Sequence, residues 1–517
     1  MKHILLKLCY RILLHPKKSL NKIISFSNFL NKQKKNLKKN VIPVFRRALL
    51  FPSRVAVQDD SGTFTYAGLY HAANDLSRDI AAQTIGYLCG NNVSHVITQW
   101  AIWMTGNIGK KNWFSLHLKS NFPIRYITYG KLHLINVDDT EFSLIVPNLL
   151  DSFVNIVFLI FPTLLPDLLK LFIGTTSKPK GVVWTHRMLA TQIAALHSAW
   201  QYSASDVVLH TLPLHHIHGQ LNSLNATLAA GARIRMLPSF TSHTVWSHLL
   251  GKGPEEARIS VFHGVPAMYA RLAADHSALF TDNNTVEYVR NTLSKMRLMC
   301  AGSAPLPETL FNKWEEISGL RLLERYGMSE VGMALSNPYR PLEKRRVGCV
   351  GTPLPGVSAR IVTPRDEGFE PSVTVESRAP DLQVVDRSTL FSDGAFEGEL
   401  LLKGPNVYWN RAPTLDGADF TRDGWFRTGD VASFSDGSFK ILGRSSVDII
   451  KTGGYKVSAV QVESALLEHP GVADVAVLGI EDDSYGEIVS AVVQLKENES
   501  LRNRHRIMSK RITKLAF

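Results

Sequence analysis

The spacing of apolar positions changes along the chain in a regular way. Short apolar runs at residues 207–212, 234–237 and 297–300 alternate with stretches such as 189–200, where apolar residues recur every three to four positions. A continuous short run fits a strand buried on both faces, and the longer period fits a helix with one buried stripe. The alternation predicts α/β layers. An extended TFTY followed by helical spacing up to Ala82 predicts a strand and then a helix, and residues 85–89 with 93–104 predict a second such pair. Further on, Gly- and Asp-rich turns at 430–443 predict a β-hairpin. Ser458 and Gln461 form a capping-box pattern before a helix that stops ahead of Pro470, and 472–480 and 488–495 predict strands. That end of the chain therefore reads as a small α+β unit. Residues 107–170 show no period, and no internal repeat is visible.

Length adds a constraint. At 517 residues the chain is too long for one ordinary core, so two or three domains are expected. With 45% hydrophobic and 20% charged residues it has the composition of a globular protein able to bury a large core.

The net charge of +13 is concentrated at one end. Fourteen of the 58 Lys and Arg precede the first acid, Asp59, which leaves 44 bases against 45 acids in the rest. A neutral body excludes a general nucleic-acid-binding surface. The acid-free leader, residues 1–51, carries apolar residues at Ile4, Leu5, Leu8, Ile12 and Leu13. That pattern suits a mitochondrial targeting helix, although Lys and Asn replace the usual Arg and Ser. A solvated tail and a membrane-surface helix are the other readings; Lys7 and Arg11 break any secretory core. Otherwise the cytoplasm is expected. Cys9, Cys89, Cys300 and Cys349 lack paired or metal-ligand spacing, which predicts free thiols in a reducing compartment. The apolar tract 153–165 falls short of the roughly 20 residues of a spanning helix, so no stable membrane span is expected.

Candidate chemistry begins at IGTTSKPKG, residues 173–181, a loop of small hydroxyl-bearing residues ending in Pro-Lys-Gly. Small residues let backbone N–H groups approach a phosphate, and Lys adds a mobile positive charge. By itself the loop also reads as a surface turn. Three further segments follow: RLLERYGMSEVGMA at 321–334, GWFRTGD at 424–430 and GRSSVDIIKTGGYKVS at 443–458. Read alone, Asp430 could be a turn residue, Glu330 a helix-terminal charge, Tyr326 core, and Gly453–Gly454 a plain turn.

Together, in this order and spacing, these segments resemble the adenylate-forming superfamily of acyl-CoA ligases, luciferases and peptide-synthetase adenylation domains. The resemblance covers 171–500 strongly and 52–106 loosely. It implies an α/β adenylate-forming fold: a large N-terminal domain (52–443) of helix-flanked sheets with a β-rich subdomain, a hinge at 444–448, and a small mobile α+β domain from 449. It also implies ATP-dependent activation of a carboxylate as an acyl-adenylate, followed by transfer to the thiol of CoA. Thr175, Thr176 and Lys180 would hold the phosphates, Glu330 would hold Mg²⁺, and Ser329 would lie beside the ATP. Asp430 and Arg444 would contact the ribose, Tyr326 would stack on adenine, and Gly302 with Ala304 would form a wall beside it. In the second half-reaction Lys451 would act, and Gly453 and Gly454 would make room for the pantetheine arm.

HTLPLHHIHGQLN at 210–222 and ERYGMSEVGMALSNP at 324–338 narrow the resemblance to malonate–CoA ligases, the mitochondrial animal type above all. There Arg325 would hold the unreacted carboxylate of malonate or methylmalonate, with His215, His216 or His218 assisting. Surface or structural ion pairing is the other reading of Arg325. A ligase for a monocarboxylic acid is the alternative enzyme, and a remnant that only binds nucleotide is the alternative outside catalysis. Two departures favour the remnant. Phe172, Ile173 and Ser177 replace residues usual in the phosphate loop. No residue matches the C-terminal lysine that aids adenylation in the family, so weak adenylation is expected of this sequence.

Overall fold

The computed structural model describes residues 42–80, 85–86, 89–105, 109–111, 124–128, 131–135, 168–173, 180–251, 258–365, 368–377, 382–387, 396–407, 420–445, 448–452, 455–469, 471–482 and 485–495. Thr175, Thr176, Gly453, Gly454, the tract 153–165 and Cys9 lie outside them. The other three cysteines are free thiols. Among the described residues no helix is long and apolar enough to cross a membrane.

The all-apolar runs become the centre of a nine-stranded sheet. Its middle is parallel, in the order Arg233–Met236, Val207–His210, Val261–Gly264, Leu298–Gly302 and Leu323–Met328. Gly332–Ser336 and Thr352–Pro353 extend one edge antiparallel. Val55–Asp59, parallel to Arg233–Met236, and Gly62–Thr65 extend the other.

Strand periodicity divides the core. Val208, Val261, Leu298, Cys300 and Leu323 face one way and join Leu69, Val96, Trp100, Leu189, Ile193 and Leu196. These come from helices Tyr66–Arg78, Val93–Met104 and His186–Trp200. Leu209, Phe262, Met299, Ala301 and Leu322 face the other way, onto Trp246, Tyr269, Leu272, Phe311 and Trp314. The two-sided burial explains why the strands read as continuous apolar runs. Two of the helices start where a Thr accepts a backbone hydrogen bond, Thr65 from Gly68 and Thr185 from Met188. Val44 and Phe45 are buried in the first core. The packed body therefore begins before the boundary expected at residue 52.

Downstream lies a six-stranded antiparallel sheet. It includes Ser358–Arg365, Phe396–Lys403 and the hairpin Phe426–Ser435 with Ser438–Arg444. A four-stranded sheet follows, in the order Tyr455–Ser458, Ile449–Thr452, Gly486–Leu495 and Val472–Asp482. Helix Ala459–Leu467 packs on it through Ala459 and Leu466, against Ile450 and Val477. Ser458 caps that helix, accepting from Gln461 N–H at 3.2 Å.

One buried ion pair ties the start of two parallel strands together. Arg297 donates Nε to Asp206 Oδ1 at 2.7 Å and Nη2 to Oδ2 at 3.0 Å. Asp206 also accepts from Ser203 N–H and Ser260 Oγ, and its side chain is 2% exposed. Asp206→Ala strands the Arg297 charge and is expected to remove about 3–5 kcal/mol of stability. Arg78→Ala, which breaks the exposed pair with Asp75, should shift stability by less than about 1 kcal/mol. Urea denaturation followed by tryptophan fluorescence compares the two; equal shifts would refute the assignment.

Candidate active site

In an open α/β sheet, ligands bind beyond the carboxyl ends of the parallel strands. At that edge Gly302 pairs with Arg325 on the neighbouring strand. Ser303 follows Gly302 with φ of 72°, left-handed for a residue that is not glycine. The Arg325 guanidinium lies against the Gly302 backbone: a Cβ on Gly302 would sit 2.8 Å from Arg325 Cζ and 2.6 Å from its carbonyl oxygen. Gly302 thus makes room for the guanidinium itself, rather than only forming a flat wall.

Arg325 is 2% exposed. Its Nη2 donates to Ser303 Oγ at 2.9 Å, and its Nε has no hydrogen-bond partner. Among the described residues no carboxylate forms an ion pair with it. Burial pulls its pKa below the ordinary arginine value. Ser303 Oγ also lies 3.4 Å from Nδ1 of His218, the first residue of a fully buried π-helix, His218–Asn225. Burial holds His218 well below the usual histidine range, and Arg325 and His263 add to the effect. His263, bonded through Nε2 to Tyr202 Oη at 2.7 Å, is pushed down to about 3, by burial first and then by Arg325. Both imidazoles are therefore neutral at physiological pH. His215 is half-buried and His216 exposed, with rings 4.3 Å apart. The hydrogen-bonded path from Arg325 through Ser303 reaches His218.

A second cluster is built on the hairpin Phe426–Ser435 with Ser438–Arg444. Asp430 and Arg444 are register partners, and Arg444 Nε donates to Asp430 Oδ1 at 3.0 Å. Tyr326 Oη, one residue beyond Arg325, donates to Asp430 Oδ2 at 2.5 Å. Burial pushes the Asp430 carboxyl above its ordinary value, while Tyr326 and Arg444 pull it back. The turn carrying Ser329 and Glu330 is braced from behind: Trp184 Nε1 donates to Ser329 O at 2.8 Å, and Gln192 Oε1 accepts from Met333 N–H at 3.1 Å. Glu330 is half-buried, and its charge acts on Arg444. Ala304 is exposed at the rim. Lys180 opens the strand Lys180–Thr185.

Just past the hairpin, Arg444 N–H donates to Asp448 Oδ2 and Asp448 N–H to Arg444 O, both at 2.8 Å. Gly443 has φ of 137°, and a Cβ there would stand 2.6 Å from Asp448 Cβ. Lys451 is exposed, and its N–H donates to Glu487 Oε2 at 2.5 Å.

The metal question separates two donor sets. His218, His263 and Cys300 lie close enough to share an ion, but they are soft ligands beside the Arg325 cation. Mg²⁺ takes oxygen donors, usually one or two carboxylates together with substrate phosphates. Glu330 fits that chemistry and the buried trio does not. Sequence reasoning missed Ser303 and His263. Ser303 stood inside AGSAPLP, but no spacing rule marks a left-handed serine.

A parallel sheet presenting its carboxyl edge to a hairpin-borne Asp–Arg pair, with a small domain attached beyond Arg444, defines an adenylate-forming enzyme. Residues 174–408 match the AMP-binding enzyme family and 461–516 its C-terminal domain, so the chain belongs to that family, as an AMP-forming acyl-CoA synthetase. It is 39% identical over 505 residues to the mitochondrial malonate–CoA ligase ACSF3 of Xenopus laevis, covering 89% of this chain and 84% of that protein. The Homo sapiens counterpart is 38% identical with the same coverage. Among solved structures, ATP-bound MatB from Rhodopseudomonas palustris superposes with a TM-score of 0.66 at 25% identity, covering 89% of this chain and 90% of that one. A malonyl-CoA ligase product complex with methylmalonyl-CoA and AMP gives 0.55 at 28% identity, over 89% and 93% of the two chains.

Glu324, adjacent to Arg325 but on the opposite face, is buried, and desolvation pushes its carboxyl up to about 8. Between pH 4.5 and 8 the folded protein then holds a proton that the unfolded chain releases, so stability from this group is full below 4.5 and lost as pH rises through 8. Glu324→Gln should flatten that decline. Urea midpoints at pH 5.5 and 8.5 measure it, and parallel profiles for the two proteins would rule the proton out.

Proposed function

We propose that this enzyme is a malonate–CoA ligase: malonate, ATP and CoA give malonyl-CoA, AMP and pyrophosphate through malonyl-adenylate. Methylmalonate is the second expected substrate. The observation that carries the reading is the buried Arg325 cation with no acidic partner among the described residues. Desolvating such a charge costs several kcal/mol unless an anion joins it. A dicarboxylate supplies one: while one carboxylate reacts, the other can pair with a guanidinium whose fork matches it. A monocarboxylic acid would leave Arg325 unpaired.

In the first half-reaction the free carboxylate oxygen attacks the α-phosphorus of ATP, forming the acyl–O–P bond as pyrophosphate leaves. Thr175, Thr176 and Lys180 are assigned to the phosphates, with Ser329 beside them. Asp430 takes the ribose hydroxyls with Arg444 next to it, and the Tyr326 ring and the Gly302–Ala304 edge flank adenine. Glu330 would hold Mg²⁺, which offsets charge on the leaving pyrophosphate. In the second half-reaction the CoA thiol, losing its proton, attacks the acyl carbon and AMP departs. Lys451, Gly453 and Gly454 are assigned to that step, brought in by rotation at 444–448. The acid-free leader and the printed names of the relatives support the mitochondrial matrix as the location.

Malonate-dependent pyrophosphate release tests the reading. Arg325→Ala should lower kcat/KM for malonate about 10²–10³-fold while ATP binding persists. Wild-type protein that prefers a monocarboxylic acid, or an Arg325→Ala variant as active as wild type, would defeat it. Asp430→Asn should instead weaken ATP binding about 10- to 100-fold and leave the KM for malonate nearly unchanged. Loss of malonate affinity alone in that variant would place Asp430 elsewhere.

A further inference from the structure

Three soft ligands converge against one face of the central sheet. His263 and Cys300 are register partners on adjacent parallel strands, so their side chains leave the same face. His218, which opens the π-helix, meets them there, its ring edge-on to that of His263 with centroids 5.7 Å apart. One ligand atom from each of the three lies within 4.8 Å of the others, and all three residues are buried. Bonds of about 2.0–2.3 Å to a shared ion would bring the donors to roughly 3.5–3.8 Å, so the trio has to close by about 1 Å. The contact of His218 Nδ1 with Ser303 Oγ is long, at 3.4 Å, which leaves the ring free to swing inward.

Donor and acceptor arithmetic shows what the two rings offer. Tyr202 Oη gives its single proton to Asn222 O at 2.8 Å, so it accepts from His263 Nε2 at 2.7 Å. His263 therefore keeps a lone pair on Nδ1, which is buried without a hydrogen-bond partner. His218 Nε2 is buried without one as well, and it carries a lone pair when Ser303 Oγ accepts from Nδ1–H. A buried acceptor left unbonded is destabilising until something fills it. The Cys300 sulfur makes only a weak contact with Ala301 O at 4.0 Å, and the Arg325 charge acts on it.

Two imidazoles and a thiol form a soft donor set, which suits Cu(I) or Zn²⁺ and not Mg²⁺ or Ca²⁺. Charge decides between the first two. A thiol that binds a metal gives up its proton. Zn²⁺ replacing one proton would leave an added positive charge beside the Arg325 guanidinium, whereas Cu(I) replacing one leaves none. In a low-dielectric interior that difference is large. We propose that His218, His263 and Cys300 form an inhibitory site for a monovalent thiophilic ion, Cu(I), which binds as a Cu–S bond forms and the Cys300 proton passes to solvent. No electron is transferred. Exposed Ser303 lies between His218 and the solvent, which gives the ion a short way in. Because the same hydroxyl also receives Arg325 Nη2, drawing His218 onto the ion disturbs the hydrogen bonds around Arg325. The site does not depend on which acid the enzyme prefers.

Competition with a coloured Cu(I) chelator, bicinchoninate, under anaerobic reducing conditions measures the affinity of the full-length protein. Cys300→Ala should weaken Cu(I) binding by more than about 100-fold, while Cys349→Ser, which changes a thiol outside the trio, should leave it as it is. X-ray absorption on the copper-loaded wild type should show one sulfur and two nitrogen donors. Zn²⁺ should bind wild type at least about 100-fold more weakly than Cu(I), and Arg325→Ala should narrow that gap about 10-fold or more. Pyrophosphate release, measured with whichever acid wild type turns over fastest, should fall as Cu(I) loads, and Cys300→Ala should keep its activity. Undiminished Cu(I) binding by Cys300→Ala, a sulfur-only shell, or equal affinity for Zn²⁺ in wild type would overturn the proposal. Full activity of the loaded wild type would overturn it too. Failure of malonate as a substrate would defeat the proposed function alone, since chelator competition reads the metal site without turnover.

Discussion

A guanidinium removed from water at the edge of a parallel sheet is the constraint around which its surroundings are arranged. Everything near Arg325 either makes space for it or completes its hydrogen bonds. Gly302 lacks a side chain where the guanidinium lies, Ser303 turns left-handed to reach it, and the imidazoles of His218 and His263 stay neutral beside it. Neutrality matters in energy terms. A second positive charge within a few ångströms in a low-dielectric interior would cost several kcal/mol. The surroundings therefore tolerate one cation and await one anion.

The Asp430–Arg444 pair is coupled to this centre by chain connectivity. Tyr326 follows Arg325 on the same strand and reaches across to Asp430, whose hairpin partner is Arg444. Arg444 is also bonded through its backbone to Asp448, and Asp448 O accepts from Ala459 N–H at the start of the C-terminal helix. A short path of named contacts thus runs from Arg325 through Tyr326, Asp430 and Arg444 to the C-terminal helix.

Much of this was legible in the chain before folding. The apolar runs at 207–212 and 297–300 foretold buried parallel strands because both faces of those strands are covered, and Ser458 announced its helix by the spacing to Gln461. Arg325, Asp430 and Arg444 could be picked out from their motifs. The histidines could not be sorted: in LHHIH no period says which ring turns inward, and the π-helix that buries His218 has no propensity signature. Ser303 was invisible for a similar reason, since its φ is imposed by the strand edge and not by its own side chain. The boundary at residue 52 failed because Val44 and Phe45 follow a basic leader in sequence yet pack with the body.

The alternation of Glu324 and Arg325 across one strand has an evolutionary consequence. Adjacent side chains on a strand leave opposite faces, so the buried acid and the buried base point away from one another. Inserting a single residue just upstream would put the carboxyl of Glu324 where the guanidinium stands and move the guanidinium to the place of Tyr326, facing Asp430. A frame slip of one position would thus replace the buried cation at this strand edge by a carboxyl in a single event.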